Sequence, residues 1–438
     1  MVDYVLDWLH MLTLWLHVVA GIAWIGASFY FIWLDNHLEP IHGASDVAGE
    51  LWAVHGGGFY RAQKYRTAPP ELPPTLHWFY WEAYTTWLSG FFLLCLIFFV
   101  NARAYLIDPA VAALSPAEAI VIALAFLIGG WFAYDALCRS PLGRNTRRLA
   151  IALALLLAAE AWALCHLFSG QGAFMLFGAM LGTIMAANVL FVIIPGQRKM
   201  VRAMRAGHTP DPVPGIRGKQ RSTHNTYFTL PVLFVMISGH FAMTYGAHRN
   251  WLVLLAMCFA GGSIRAWFVA RHRAWERGGR TPVLPALLGI AALAAVGVAL
   301  APPGQRNAVS ASSTGSPAQI TGIIEGRCAP CHSPRPTEPG FQEPPDGIVL
   351  DSLQDVRLHL AAVQLQLTTD HMPLGNLTGM TAGERAAVLN WIARGAPHRR
   401  HAAQPGVARV GGRAAQNDHG RQTHGLELQP PRSREAAY

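Results

Sequence analysis

The sequence predicts an all-α protein in which an eight-helix transmembrane bundle precedes a small helical domain. Composition is the first reason: 52% of the 438 residues are hydrophobic and only 13% are charged, as is typical of integral membrane proteins. The placement of charge is the second. A net charge of +9 would favour nucleic-acid binding in a soluble chain, but here the basic residues lie in short segments between apolar runs. We therefore expect a lipid membrane, and no nucleic acid, as partner.

The predicted spans are apolar runs that are each long enough to cross a bilayer. They cover residues 8–34, 84–101, 117–137, 149–168, 173–194, 228–245, 250–270 and 283–301. Nearly all Lys and Arg residues between the runs fall in the first, third, fifth and seventh loops, whereas the other loops hold only Arg103 and Arg249. By the positive-inside rule, we expect a multi-pass inner-membrane protein with both termini in the periplasm.

A haem-attachment motif follows the last span. Cys328, Cys331 and His332 form a C-x-x-C-H run, in which two thioethers hold a c-type haem and the histidine binds its iron. A zinc site would need a second ligand pair, and no cysteine follows Cys331. Covalent haem is attached outside the cytoplasmic membrane, so the motif independently places this end of the chain in the periplasm.

The sixth iron ligand should lie downstream of the motif. Met372 stands in a Met-Pro-x-Gly setting that resembles class I cytochromes c, and the small domain is expected to be of that type. Met380 is the alternative, but it adjoins a Thr381-x-x-Glu384 capping box that predicts the start of the closing helix.

Four regions follow from these boundaries. A transmembrane domain covers residues 1–301, and a flexible linker rich in Ser, Pro, Gly and Ala covers 302–318. The cytochrome c domain covers 319–398. The tail, 399–438, has no apolar periodicity and is expected to be disordered.

Ionisable residues inside the spans are costly and therefore mark candidate sites. His17 and His240 are the predicted ligands of a b-type haem held between helices; the alternative is that each histidine bonds a backbone carbonyl or water. Glu160 is a candidate for proton relay, or for a simple hydrogen bond. Glu82, near the start of the second span, is a second candidate catalytic carboxylate.

The first inner loop, residues 52–64, combines three glycines with aromatic and basic side chains. Its exposed amides, with Arg61 or Lys64 for charge and Phe59 for stacking, would suit a flat anionic ligand. The alternative is a glycine hinge carrying the ordinary positive charge of an inner loop.

Several strings resemble one known family. They are LHVVAGIAWIGASFYF at 16–31, HGGGFY at 55–60, LHW at 76–78 and WEAYTTWLSG at 81–90. These are similar to the bacterial membrane-bound urate oxidase (urate hydroxylase) family, which joins an eight-span domain to a C-terminal cytochrome c. The resemblance implies oxidation of urate to 5-hydroxyisourate, with electrons passing through cytochrome c to the respiratory chain, either a soluble cytochrome c or a terminal oxidase. It supplies no catalytic residues, so the candidates above rest on the sequence pattern alone.

A substrate site at the inner surface would lie roughly 30 Å of bilayer from the c haem, which is the reason to expect a b haem between them. Two other functions stay open. The chain could be a membrane cytochrome that carries electrons from quinol to a periplasmic acceptor without urate chemistry, or a transporter with an attached redox sensor.

Overall fold

A computed structural model describes residues 2–43, 46–276, 279–301, 316–338, 341, 343–368 and 371–397. The protein is mostly helical. The long helices of the first part of the chain are α1 (Val2–Asn36), α2 (Trp81–Leu93), α4 (Pro116–Arg139), α5 (Thr146–Cys165), α6 (Gly170–Ala187), α7 (Ile194–Arg205), α8 (Val213–Ser238), α10 (Asn250–Glu276) and α11 (Leu284–Ala299). Two short helices, α3 (Ala102–Tyr105) and α9 (Ala242–Tyr245), lie in the connections.

Six helices of the described chain are long and apolar enough to cross a membrane, as in a membrane protein. They are Tyr4–Asn36, Trp81–Phe99, Pro116–Arg139, Thr146–Cys165, Gly170–Arg205 and Asn250–Arg271. Two of the eight predicted spans differ from this group. The run at 228–245 comprises the apolar end of α8, whose first half is charged, and the short α9, with a break in the helix at 239–241. The run at 283–301 contains the shorter α11.

The segment predicted to be the first inner loop forms a β-hairpin, so the all-α prediction is wrong for this segment. Strand β1 (Val47–His55) pairs antiparallel with β2 (Gly58–Tyr65). Gly56 and Gly57 have φ of 57° and 80° and form the two-residue turn, which needs positive φ at both positions. The glycines therefore serve chain reversal, and the pattern of the flanking residues is that of a strand pair.

Helix α6 lies at the centre of the bundle and packs against α2, α4, α5 and α8. Its contact with α8 is close: a Cβ at Gly178 would lie 2.5 Å from Cγ1 of Val235, so glycine is required there. Its start is fixed by Ser169, whose hydroxyl accepts the amide hydrogen of Gly172. After Ala187 the helix passes through a π-helical turn, Asn188–Ile193, into α7.

The C-terminal helices form a second hydrophobic core. They are α12 (Pro317–Arg327), α13 (Leu353–Leu358), α14 (Leu360–Thr368) and α15 (Ala382–Ala393). Ile320, Val356, Val388 and Trp391 are buried together in this core. The predicted capping box is confirmed, because Thr381 and Glu384 bond each other's backbone amides at the start of α15.

Two predicted segments lie largely outside the described residues. Of the linker, 302–318, the structure describes only the last residues, and there α12 already begins at Pro317. The tail, 399–438, lies wholly outside the described part of the chain.

Candidate active site

A cavity of about 1550 Å³ opens at the end of the bundle where α4 leads into α5. Its inner walls are apolar and include Leu153, Leu157, Phe177 and Phe228. Its polar lining is rich in cations: Arg139, Arg144, Lys199, Arg217, Lys219 and Arg221. Within the described residues no aspartate or glutamate lines it. An apolar chamber with a basic rim and no carboxylate suits an anionic ligand with flat apolar faces.

Arg221 is the buried cation of this lining, with a side chain that is only 4% exposed. Its Nη2 lies 2.6 Å from Oδ1 of Asp135, and its guanidinium stands 4.9 Å from the ring centre of Tyr134. Asp135 also accepts a hydrogen bond from Arg139, at 2.5 Å. Nη1 of Arg221 is buried and has no hydrogen-bond partner within the described chain. The residue is thus held in place by its acid partner, and Nη1 is a buried donor that no described residue satisfies.

A hydrogen-bonded network adjoins Arg221. The hydroxyl of Tyr134 lies 2.7 Å from Nδ1 of His224, a residue that also lines the cavity. Nδ2 of Asn188 donates to the Tyr134 oxygen at 3.1 Å and to Oδ1 of Asn225 at 2.8 Å. Asn225 in turn donates to the Met185 carbonyl at 3.0 Å. The imidazole of His224 is therefore oriented through Nδ1, and Nε2 is the nitrogen left for a ligand or water.

The π-helical turn positions this network. Asn188 is its first residue and is completely buried, with side-chain contacts to α4 and α8. Such turns widen a helix locally and occur often at functional sites. The described structure gives its Oδ1 no hydrogen-bond partner. A buried, part-satisfied amide is costly in a membrane interior, so its position next to the cavity favours a functional role.

A family profile described as urate oxidase N-terminal matches residues 3–319 of the chain. The chain belongs to the urate oxidase N-terminal family. Membership supports a urate-related oxidoreductase function, and the matched range includes every residue of the cavity. No curated protein and no solved structure matches the chain.

The residues predicted from the sequence to bind substrate, Phe59, Arg61 and Lys64, lie on strand β2 of the hairpin and do not line the cavity. Phe59 is 79% exposed. Arg61 pairs with Glu50 at 2.5 Å, and Lys64 pairs with Asp35. The hydrogen bond from Gln63 and the Arg61 guanidinium hold the pKa of Glu50 below its ordinary value. Both cations predicted to bind substrate are therefore already paired with acidic residues, Arg61 with a residue of the hairpin and Lys64 with a residue of α1.

The two candidate carboxylates occupy different places. Glu82 lies in the first turn of α2, where its carbonyl accepts a hydrogen bond from the Thr86 hydroxyl at 2.6 Å. Glu160 lies between α4 and α6, with Oε1 3.4 Å from where a Cβ on Gly130 would stand. Its Oε2 is buried and unpartnered in the described residues. Glu160 stands one helical turn beyond the cavity residue Leu157, on the same face of α5.

The two predicted b-haem ligands have different surroundings. His17 packs against α2, where its Nδ1–H donates to the Thr86 carbonyl at 3.0 Å and leaves Nε2 open. A Cβ on Gly90 would lie 2.8 Å from the His17 ring, so this contact depends on glycine. His240 is exposed just after α8. No hydrogen bond or ring contact joins them in the part of the chain described, and the b haem stays a prediction.

The residues of the C-x-x-C-H run are arranged compatibly with a c haem. Cys328 and Cys331 form no disulfide with each other, which thioether attachment of a haem to both would require. His332 donates its Nδ1–H to the Ile348 carbonyl at 2.9 Å, which fixes the ring and leaves Nε2 for iron. The buried Nε1 of Trp391 has no acceptor among the described residues, and a haem propionate would be an acceptor of the right kind.

The two candidate methionines differ in their surroundings. Met380 is 4% exposed and belongs to the core of the C-terminal helices. Met372 is half-buried, and its carbonyl accepts a hydrogen bond from Arg385 at 2.6 Å. Met380 is thus explained by packing alone, which favours Met372 as the side chain available to the iron.

The cluster of Tyr134, Arg221, His224, Asn188 and Asn225 was not among the predicted site residues. The sequence pattern assigns Arg221 to a basic loop, because the apolar run that predicts the next span begins only at residue 228. A sequence signal existed: Arg221, Asn225 and Phe228 recur at helical spacing and share one face of α8.

Proposed function

We propose that the chain is a membrane-bound urate oxidase that converts urate to 5-hydroxyisourate in the basic cavity and delivers the electrons to a covalently bound c haem. The observation that carries this proposal is the cavity itself: six cations and no carboxylate line it in the described chain, in a member of the urate oxidase N-terminal family. Urate is a flat anion near pH 7, and the lining offers both charge and aromatic surface.

We infer the position of urate from the polar atoms of the network that have no hydrogen-bond partner. Nη1 of Arg221, Nε2 of His224 and Oδ1 of Asn188 are the polar atoms of the network that have no hydrogen-bond partner in the described chain, and the first two belong to residues that line the cavity. Phe228 is next to them, with its ring 6.1 Å from that of Tyr134, and supplies an apolar face for the purine. The whole cavity exceeds the ~300–1,000 Å³ of typical ligand sites, so urate fills only this inner end and the basic rim attracts it.

Oxidation of urate by addition of water releases two electrons and two protons. His224 is the base of the proposal: with its Nδ1–H donating to the Tyr134 oxygen, Nε2 carries a lone pair that takes a proton from the attacking water. The hydroxyl oxygen of Tyr134 can accept this hydrogen bond together with the one from Asn188, because a hydroxyl oxygen has two lone pairs. The second proton leaves by another route, for which Glu160 beyond Leu157 is the candidate.

Cys328, Cys331, His332 and Met372 would hold the c haem, which accepts electrons one at a time. A periplasmic C-terminal domain in a multi-pass inner-membrane protein is part of the proposal; the distribution of basic loops supports it, and covalent haem attachment would require it. From there a soluble cytochrome c or a terminal oxidase of the respiratory chain is the acceptor. A b haem on His17 remains part of the proposal; acid-acetone extraction of wild type and of His17→Ala tests it, and a wild-type protein without extractable haem would remove it.

Product analysis tests the proposed function. Purified protein, kept free of oxygen, is given urate and soluble ferricytochrome c; we expect 5-hydroxyisourate and two reduced cytochromes per urate consumed. In a parallel sample with oxygen, urate consumption that requires oxygen and yields hydrogen peroxide would contradict the proposed electron route. Reduction by quinol without any urate consumption would instead identify a membrane electron-transfer cytochrome.

A further inference from the structure

The C-terminal helices contact the bundle through the segment that follows α14. The hydroxyl of Tyr245, the last residue of α9, lies 3.1 Å from Nε2 of His371, and the two rings meet edge to face with centroids 5.0 Å apart. Nearby, α3 packs against the helical turn Leu374–Asn376. His371 immediately precedes Met372. The bundle therefore touches the very segment that would supply the sixth iron ligand.

Tyr245 is also continuous with the aromatic interior of the bundle. It is only 3% exposed, and its ring lies 6.3 Å from that of Phe174 on α6. Phe174 in turn lies 6.3 Å from Phe234 on α8. One helical turn along α6 from Phe174 is Phe177, which lines the basic cavity. Ring contacts thus join His371 to Tyr245 and Tyr245 to Phe174, and one turn of α6 separates Phe174 from the cavity wall at Phe177.

We propose that Tyr245 and residues 371–376 form the junction through which electrons leave the membrane domain for the c haem. The proposal rests on the proposed function, since urate is the electron source. Each electron lost by urate reduces one ferric haem to ferrous, and two such transfers complete one oxidation. Tyr245 acts as a positioning residue: its ring fills the space between Phe174 and His371, and its hydroxyl fixes the separation of the two domains.

Two substitutions separate the ring from the hydroxyl. Tyr245→Phe keeps the ring and removes the bond to His371, whereas Tyr245→Leu removes both. Phe241→Leu is the matched control, because Phe241 lies just before the same short helix but is 49% exposed. Stopped-flow spectra follow c-haem reduction after mixing with urate in the absence of oxygen, and dithionite reduction measures the haem's own competence.

We expect Tyr245→Leu to slow urate-driven reduction about tenfold or more, equivalent to about 1.4 kcal/mol of barrier, with dithionite reduction unchanged. Tyr245→Phe should show a smaller loss, and Phe241→Leu none. A second readout needs no turnover: amide hydrogen exchange of residues 371–377 should accelerate in Tyr245→Leu because the segment loses its contact.

The outcomes are distinct. If urate fails to reduce the wild-type haem, the proposed function fails. If the wild type is reduced but Tyr245→Leu matches it in rate, with unchanged exchange at 371–377, only the junction is refuted.

Discussion

Replacing Arg221 with glutamine is the sharpest perturbation of the proposed urate site. Glutamine keeps hydrogen-bonding capacity but is shorter and uncharged, so it removes both the buried positive charge beside Asp135 and the reach of the Nη atoms. Nη1 of Arg221 is the donor that the described protein leaves unused, so the substitution removes the group assigned to the substrate anion.

The size of the effect on binding can be worked from the contact. A hydrogen bond to a charged group contributes about 1.5–3 kcal/mol, which corresponds to a rise in the Kd for urate of about 10- to 150-fold. The effect on folding should be smaller than the ~3–5 kcal/mol typical of a broken buried ion pair. Asp135 keeps a second cation, because Arg139 donates to its other oxygen at 2.5 Å.

Isothermal titration of detergent-solubilised protein with urate measures the change, and thermal unfolding checks the fold. Arg144→Gln is the matched control: the same substitution at an exposed residue of the same cavity lining, where loss of a screened charge should change the binding free energy by less than about 1 kcal/mol. Wild-type affinity in a folded Arg221→Gln protein would refute the placement of urate.

Three further predictions concern the C-terminal domain. Cys331→Ala should abolish covalent haem while the membrane helices stay inserted, as a haem-stained denaturing gel would show; a surviving band would contradict the attachment site. Met372→His should keep the haem but lower its reduction potential, because a thioether stabilises ferrous iron better than imidazole does; an unchanged potential would point to Met380. Glu384→Ala should lower the stability of the domain by about 1 kcal/mol through loss of its capping bonds. The hydrogen bonds from Thr381 and Arg327 hold the pKa of Glu384 below its ordinary value, so this contribution is present at neutral pH and is lost as the pH falls through the folded-state pKa; a Tm difference from wild type that persists in acid would contradict it.

The parts of the fold that local sequence patterns determine were predictable. Long apolar runs became helices, and the Thr381–Glu384 signature became a capping box. The hairpin at 47–65 was missed because its charged and aromatic residues were interpreted as a loop, although Gly56-Gly57 between two alternating runs is a typical turn signal.

The candidate site required knowledge of contacts between distant segments. Tyr134 and His224 are 90 positions apart, and neither is unusual within its own helix. Arg221 differs from the surrounding loop cations only in being buried against Asp135, which is a property of the packed bundle. By contrast, the hairpin cations were conspicuous in the sequence, yet their charges are already paired with Glu50 and Asp35.

The central claim is that urate bound in the membrane domain supplies electrons to the c haem. The direct measurement is the visible spectrum of the purified, oxidised protein after addition of urate in the complete absence of oxygen. The account predicts the spectrum of ferrous c haem in the wild type, and the same reduction only at much higher urate concentration in Arg221→Gln. A haem that stays ferric with urate but is reduced by dithionite would contradict the claim.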